Sequence, residues 1–193
     1  IQGADLPTAM RITAAVSRDP QVAPGLEELE LEAPRADEIL VRIATAGICH
    51  TDLRAHSGVI ALTPRPVVLG HEGAGIVEAV GPRVRGIDAG DRVAYVSAQP
   101  GAYAQERVVA ADRVVKIPDG VSDRLAAAAM LKGLTAQFLL RRTCRVRKGD
   151  AVVVHAAAGG VGLILSQWAR HLGALVIGVV GSDAKVAVAR EHG

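Results

Sequence analysis

The sequence contains few aromatic residues: two tyrosines, one phenylalanine and one tryptophan among 193 residues. The core must therefore be built from alanine, valine, leucine and isoleucine, which make up most of the 50% of residues that are hydrophobic. Such residues pack readily in a protein that mixes helices with sheets. Twenty-one glycines and nine prolines indicate many turns between these elements.

Cysteine is also scarce, and Cys49 and Cys144 lie far apart in the chain. Two distant cysteines form no disulfide framework, so a reducing cytoplasm is the expected compartment. No apolar run approaches the roughly 20 residues that a membrane-spanning helix needs. The first residues lack the basic and apolar regions of a secretory signal. We therefore expect a cytoplasmic protein that does not bind membranes.

Neither sign of charge dominates, since 22 basic and 20 acidic residues leave a net charge of +2. This near-balance lacks the basic excess that is typical of nucleic-acid binding. Five basic residues do cluster, and they form either a solvated surface or a local anion site: Arg141, Arg142, Arg145, Arg147 and Lys148. The expected partner is a small-molecule substrate rather than nucleic acid.

Short segments that alternate apolar and polar residues, or are wholly apolar, fill the first two-thirds of the chain. They predict β-strands over 10–16, 26–31, 38–44, 67–69, 75–80, 91–96, 103–109 and 114–117. Glycine- and proline-containing turns separate these strands, for example at Gly81-Pro82. Several short strands joined in this way indicate a small, irregular β-barrel.

The rest of the chain has the pattern of an α/β protein. Ser122 is a suitable N-cap for an alanine-rich helix that extends to about Met130, and a second helix is predicted over 135–142. The apolar runs 151–155 and 175–180 predict strands, the first of them covered on both faces. A helix is predicted between these strands, and its apolar residues follow one face: Val161, Leu165, Trp168 and Leu172.

A run of small residues joins the first of these strands to the helix. Small side chains let the backbone approach a pyrophosphate, whose charge is then stabilised by unpaired N–H groups and by the helix macrodipole. The position of the run between a strand and a helix is the context that a dinucleotide-binding turn requires. A glycine-rich turn that binds nothing is the alternative. The residues expected to line the phosphates are Ala158, Gly159, Gly160, Val161 and Gly162.

The end of the second strand indicates which nicotinamide cofactor is bound. Proteins that bind NAD usually place an acidic residue here, to accept a hydrogen bond from the ribose 2′-hydroxyl. This chain has Val180 instead, followed by Ser182, and Lys185 can pair with a 2′-phosphate. NADP(H) is therefore the expected cofactor. Asp183 is the alternative acidic residue, but its position suits a helix N-cap better.

These motifs resemble the medium-chain dehydrogenase/reductase superfamily. From about residue 90 the chain is similar to its quinone oxidoreductase branch, which includes zeta-crystallin-like proteins, in the strings GDRVAY, GAYAQ, AAAAMLKGLTAQFLLRRT, HAAAGGVG and QWARHLGA. The N-terminal part resembles zinc alcohol dehydrogenases in GICHTDL and GHEGAGIVEAVG. The resemblance implies a chaperonin-10-like catalytic domain over 10–132. It also implies the first part of a Rossmann domain, a doubly wound parallel sheet, over 133–193.

The resemblance also implies part of a catalytic zinc site. Cys49 and His71 match two family ligands, and Glu72 matches a carboxylate close to the metal. The third family ligand is a cysteine, and Leu131 stands at its place. Catalytic zinc takes three protein ligands and keeps a fourth position open. Two interpretations stay open. Zinc is bound by Cys49, His71, Glu72 and water, or the site holds no metal.

Further site residues are also implied by the resemblance. Thr51 matches the hydroxyl that begins a proton relay in zinc dehydrogenases, although a turn or cap hydroxyl is the simpler interpretation. Lys132 and Thr135 match positions near the nicotinamide side of the cofactor in quinone reductases. His50 follows the metal cysteine and matches a position near the cofactor phosphates. His50 and Lys132 are equally well interpreted as surface residues.

Three functions follow from these observations. The first is an NADPH-dependent oxidoreductase that reduces quinones or related activated carbonyl or enone compounds by hydride transfer, with Thr51 and Lys132 as catalytic donors. The second is a zinc-dependent alcohol dehydrogenase, in which the metal acts as a Lewis acid. The third is a truncated, non-catalytic nucleotide-binding protein, because a partial Rossmann domain lacks part of the nicotinamide pocket. The family implies a homodimer for the full-length chain.

Overall fold

A computed structural model describes residues 8–20, 22–60, 64–97 and 99–192. The chain divides into two compact units, Ile1–Met130 and Leu131–Gly193. None of the helices in these described ranges is long and apolar enough to cross a membrane.

The described residues of the first unit form eight strands, one short α-helix and the first part of a longer helix. The strands are β1 (Ala9–Ser17), β2 (Gly25–Glu32), β3 (Glu38–Ala46), β4 (Val67–Val68), β5 (Glu72–Val80), β6 (Arg92–Val96), β7 (Glu106–Ala110) and β8 (Val114–Lys116). Helix α1 (His50–His56) follows β3, and a short 3-10 helix (Ala111–Arg113) precedes β8. One sheet has the order β2-β1-β4 and the other β7-β3-β5-β6-β8.

The segment from Tyr103 to Gln105 links the two sheets. The Ala15 amide donates to the Tyr103 carbonyl oxygen at 2.8 Å, and the Ile43 amide donates to the Gln105 carbonyl oxygen at 2.8 Å. The segment changes its hydrogen-bonding partner from β1 to β3. It therefore lies outside the regular strand β7, which begins at Glu106. The predicted strand 103–109 is therefore wrong in its first half. The predicted irregular barrel is confirmed.

The interior of the barrel is aliphatic, as the composition requires. Ile39 and Val41 of β3 and Val93 of β6 are fully buried, and Val77 of β5 is almost so. Tyr95 is the one aromatic ring in this cluster, and its side chain has no exposed surface. Alternation along each strand places these residues on the inner face.

Helix α2 (Asp123–Gln137) is longer than predicted. Ser122 caps it, since the Leu125 amide donates to Ser122 Oγ at 3.2 Å. The helix does not end near Met130 but continues into a π-helix (Phe138–Thr143), so the prediction of two separate helices was wrong. Gly133 is the weak helix former in this stretch, and one glycine does not break a helix whose neighbouring residues favour it.

The second unit contains a parallel pair of strands and two further helices. Its elements are β9 (Ala151–His155), α3 (Gly160–His171), β10 (Leu175–Val179) and α4 (Ala184–Glu191). Ala151 pairs with Leu175 and His155 with Val179. As predicted, one face of α3 packs inward, with Leu165, Trp168 and Leu172 partly buried against a core of Leu140, Val146, Ala169 and Ala174.

Only one face of this strand pair is covered by the residues that the structure describes. Val154 of β9 is 2% exposed, whereas its neighbour Val153 is 56% exposed. On β10, Leu175 and Ile177 are 64% and 49% exposed. The expectation that β9 is covered on both faces is therefore wrong for this chain, although the partial parallel sheet itself is confirmed.

Candidate functional site

The turn between β9 and α3 reverses the chain over a few small residues. Ala156 has a positive φ of 52°, in the left-handed region. The Gly159 amide donates to the Ala156 carbonyl oxygen at 2.8 Å, which closes the turn. Gly159 is the N-cap of α3 and has an extended backbone. The first N–H groups of α3 have no acceptor within the helix and are directed toward this turn.

Two glycines of the turn make close contacts, and one of them is required. A Cβ atom at Gly162 would lie 2.3 Å from the Ala156 carbonyl oxygen, so only glycine allows α3 to begin this close to β9. A Cβ atom at Gly160 would lie 3.1 Å from Cε of Lys132. The alkyl chain of Lys132 therefore lies against Gly160, which brings a positive side chain to the start of α3.

A groove of about 360 Å³ opens at the ends of β9 and β10. Its lining residues are Ala156, Ala158, Gly159, Val179, Val180, Gly181 and Lys185. None of these is acidic, and Lys185 is basic. Together with the helix macrodipole of α3, this charge favours an anionic ligand. The groove therefore fits the phosphates of a dinucleotide.

Ser182 and Asp183 follow the groove at the start of α4. The Ser182 carbonyl oxygen accepts a hydrogen bond from the Lys185 amide at 3.0 Å. Asp183 occupies the N-cap position, as the sequence indicated, but its side chain makes no capping hydrogen bond. Neither residue is among those that line the groove.

A cluster of potential metal ligands lies in the barrel unit. One ligand atom from each of Cys49, His71 and Glu72 falls within 4.8 Å of the others. Cys49 is the N-cap of α1, and Glu72 is the first residue of β5. Glu72 is fully buried, and a Cβ atom at Gly47 would lie 2.6 Å from Glu72 Oε2, so this glycine makes room for the carboxylate. The donor set of thiolate, imidazole and carboxylate fits zinc.

Asp52 makes four contacts around this cluster, two with backbone amides and two with side chains. Its carboxylate accepts hydrogen bonds from the amides of Cys49 and Gly70, both at 3.1 Å. It also lies 2.9 Å from His71 Nδ1. If Nδ1 carries the proton directed at Asp52, Nε2 of His71 is the atom that would bind a metal, and it lies 3.8 Å from Glu72 Oε1. A histidine that binds a metal usually donates its other ring N–H to a carboxylate or carbonyl oxygen.

Tyr103 makes the fourth contact, because its hydroxyl donates to Asp52 Oδ2 at 3.0 Å. Burial, together with the adjacent negative charge of Asp52, raises the pKa of Tyr103 well above its usual value. The phenol therefore stays a donor at neutral pH. A Cβ atom at Gly70, where φ is +88°, would lie 2.6 Å from the Tyr103 ring. The sequence alone did not identify Tyr103.

A second network anchors the other end of α1. Nη2 of Arg65 donates to the carbonyl oxygens of Ala55 and His56, at 2.8 and 2.7 Å. The same guanidinium donates to Ser17 Oγ. Ser17 Oγ lies 3.0 Å from His56 Nδ1, and Ser17 is fully buried. Nothing in the sequence pattern connected these three residues.

The remaining predicted site residues have less defined surroundings. Thr51 is half-buried and precedes Asp52 on α1, and His50 is exposed at the first position of that helix. The hydroxyl of Thr135 donates to the Leu131 carbonyl oxygen of its own helix at 2.8 Å. The roles given to these residues stay predictions.

Comparisons with known proteins agree with this architecture. The alcohol dehydrogenase GroES-like domain matches residues 35–119. A quinone oxidoreductase of Pseudomonas aeruginosa is 44% identical over 185 residues, which are 96% of this chain and 57% of that protein. A 2-haloacrylate reductase of a Burkholderia species is 40% identical over 172 residues, covering 86% of this chain and 52% of that protein.

A solved structure also matches both units. The crystal structure of Escherichia coli quinone oxidoreductase complexed with NADPH has a TM-score of 0.79 and 40% sequence identity. The match covers 95% of this chain and 56% of that chain. The present chain thus spans little more than half the length of these relatives.

These similarities identify the family. The chain belongs to the medium-chain dehydrogenase/reductase superfamily, with a GroES-like barrel followed by a partial Rossmann sheet. Within the superfamily it belongs to the quinone oxidoreductase branch. The resemblance expected from its motifs is therefore confirmed.

Proposed function

We propose that the chain is part of an NADPH-dependent oxidoreductase that transfers hydride to quinones or related activated enones. The observation that carries this proposal is the groove at the ends of β9 and β10, with Lys185 on its wall and no acidic side chain. Relatives named quinone oxidoreductase and 2-haloacrylate reductase support the substrate class. We place the catalytic domain at 10–132 and the Rossmann domain from 133, in a cytoplasmic homodimer.

The residues of the turn bind and orient the cofactor in this proposal. Amides at the start of α3, from Gly159 to Gly162, bind the pyrophosphate, and Lys185 pairs with the 2′-phosphate. Ser182, Thr135 and His50 are further proposed cofactor contacts. NADPH supplies the hydride when bound. Lys132 and Thr51 are the proposed donors that stabilise negative charge on the substrate oxygen.

Lys185→Gln tests the cofactor assignment. We expect its dissociation constant for NADPH to rise about tenfold, as the loss of one charge-assisted contact predicts, with little change for NADH. Fluorescence titration of both cofactors measures this difference. Lys148→Gln, which removes an exposed lysine away from the groove, is the matched control. Equal losses for NADH and NADPH would contradict the proposed role of Lys185.

Reduction of 1,4-benzoquinone by NADPH tests the activity itself. We expect turnover to fall at least tenfold in Lys132→Met, without a matching loss of NADPH affinity. This result would support Lys132 as the donor to the substrate oxygen. Tight NADPH binding without any turnover would favour the third function, nucleotide binding alone.

A zinc alcohol dehydrogenase is the second candidate, favoured by the convergence of Cys49, His71 and Glu72. Metal analysis after incubation with zinc distinguishes it from the first. About one zinc per chain, lost together with alcohol oxidation in Cys49→Ala, would support this candidate. Cys144→Ala is the matched control, because Cys144 is an exposed free thiol.

A further inference from the structure

A second cavity lies between α3, β10 and α4 in the C-terminal unit. It has a volume of about 260 Å³. Ala157, Gly178, Val186 and Ala189 contribute apolar walls. It shares only Val180 with the residues that line the cofactor groove.

Most of the side chains that line the cavity are small. Gly178 has no side chain and packs directly against Ala157, since a Cβ atom at 178 would lie 2.9 Å from the Cβ atom of Ala157. Ala189 projects only a methyl group from α4. Val186 is the largest apolar side chain that α4 contributes to the lining.

One buried polar side chain in the lining has no hydrogen-bond partner among the described residues. Ser166 of α3 is 3% exposed, and its hydroxyl oxygen makes no hydrogen bond with any residue that the structure describes. A buried hydroxyl without a protein partner is unfavourable unless an ordered water or a bound molecule satisfies it. Apolar walls with a few polar groups are typical of small-molecule sites.

Arg190 adds a positive charge to the same lining. It forms no ion pair within the described ranges of the chain. A cavity of about 150 Å³ can hold benzene, so this one has room for a slightly larger molecule. We propose that it binds a small carboxylate with an apolar body. The apolar body packs against the alanine and valine side chains, and the carboxylate pairs with Arg190 and accepts from Ser166.

Benzoate is the probe, since it has this size and charge. In a titration of the isotope-labelled chain followed by NMR, we expect saturable shifts at the amides of 157, 166, 176–180 and 186–190. Benzyl alcohol has nearly the same shape without the charge, and we expect it to bind about tenfold more weakly. The experiment needs neither cofactor nor turnover, so its result is independent of the proposed function.

Two substitutions test the location of the site. Ala189→Leu fills the cavity, and we expect benzoate binding to fall at least tenfold; Ala187→Leu, at an exposed position of the same helix, is the control. Val186→Phe fills the cavity from another position and serves if Ala189→Leu does not fold. Arg190→Gln is expected to weaken benzoate binding about tenfold, the same factor expected when benzyl alcohol replaces benzoate. Arg147→Gln is the control.

Three outcomes would overturn the proposal. The first is unchanged benzoate affinity in both cavity-filling variants. The second is displacement of benzoate by NADPH with shifts confined to residues 156–159 and 181–185, which would place benzoate in the cofactor groove. The third is the absence of saturable shifts in the unmodified chain.

Discussion

Asp52 is the residue on which the geometry of the metal-ligand cluster depends. It accepts hydrogen bonds from two backbone amides and from Tyr103, and it contacts His71. The sequence pattern assigned no role to Asp52, because its partners come from three separate segments. The side chain therefore holds His71 and the backbone at Cys49 in place.

We predict that Asp52→Asn lowers the free energy of unfolding by about 2 kcal/mol, because an amide nitrogen then faces a hydrogen-bond donor in a buried place. Urea denaturation measures the change. Asp119→Asn, in an exposed turn, is the control and should change stability little. Equal unfolding free energies for Asp52→Asn and Asp119→Asn would contradict the four buried contacts of Asp52.

The two tyrosines of the chain lead to a prediction about alkaline pH. Burial is the main cause that raises the pKa of Tyr95, and burial together with Asp52 raises that of Tyr103. For both tyrosines the pKa in the folded state lies above the unfolded value of about 10. The stability that these tyrosines contribute is therefore complete below about pH 10. It is lost as the pH rises through the folded values. We expect little tyrosinate absorbance in the folded chain at about pH 10.5, and a full signal after unfolding in urea.

Tyr103→Phe provides the check on this assignment. Its unfolding free energy should fall less steeply than that of the unmodified chain between about pH 10 and 11.5. An unchanged slope would show that Tyr103 titrates at its ordinary pKa in the folded state.

At the scale of elements, α2 and the β9–α3 turn show opposite uses of glycine. Gly133 lies inside α2, and a Cβ atom there would have no neighbour within 4 Å. Gly162 lies at the start of α3, where a Cβ atom would lie 2.3 Å from a carbonyl oxygen. The sequence predicted Gly133 to lie between two helices and Gly162 to lie in the phosphate-binding turn. The structure shows that the first glycine is tolerated inside a helix and that the second is required by a close contact.

Gly133→Ala is therefore predicted to raise the free energy of unfolding by about 1 kcal/mol, the usual gain from replacing glycine by alanine inside a helix. Gly162→Ala is predicted to lower it and to weaken NADPH binding, because α3 must move away from β9. Thermal unfolding followed by circular dichroism compares the two. A loss of stability in Gly133→Ala would mean that α2 is not a continuous helix at this point.

At the scale of the whole chain, the residues that the structure describes leave one face of β9 and β10 uncovered. Val153, Leu175 and Ile177 are about half or more exposed on adjacent parallel strands. Parallel sheets are normally covered on both faces, and exposed apolar patches promote association.

We predict that the chain binds the dye ANS and self-associates as its concentration rises. Ile177→Thr keeps a β-branched side chain and should reduce the dye fluorescence by roughly a third or more, since it removes one of three main apolar groups. Val115→Thr, at a valine 50% exposed on β8 of the barrel, is the matched control. Similar reductions in both variants would mean that the sheet face is not the binding surface.

The sequence by itself determined the features that depend on residues adjacent in the chain. The Ser122 cap, the small residues between β9 and α3, and the apolar face of α3 were all predicted, because each follows from local conformational preference or helical periodicity. The family followed from the same local strings. The convergence of Cys49, His71 and Glu72 was implied only through the family resemblance.

Only the tertiary structure decided which distant side chains meet. Asp52 reaches His71 across 19 residues and Tyr103 across 51, and Arg65 reaches Ser17 across 48. It likewise decided that α2 is continuous and that Ser166 faces a cavity. Such contacts depend on how β1, β3, β5 and α1, or α3, β10 and α4, pack together. No periodicity or turn signal within a single segment carries that information.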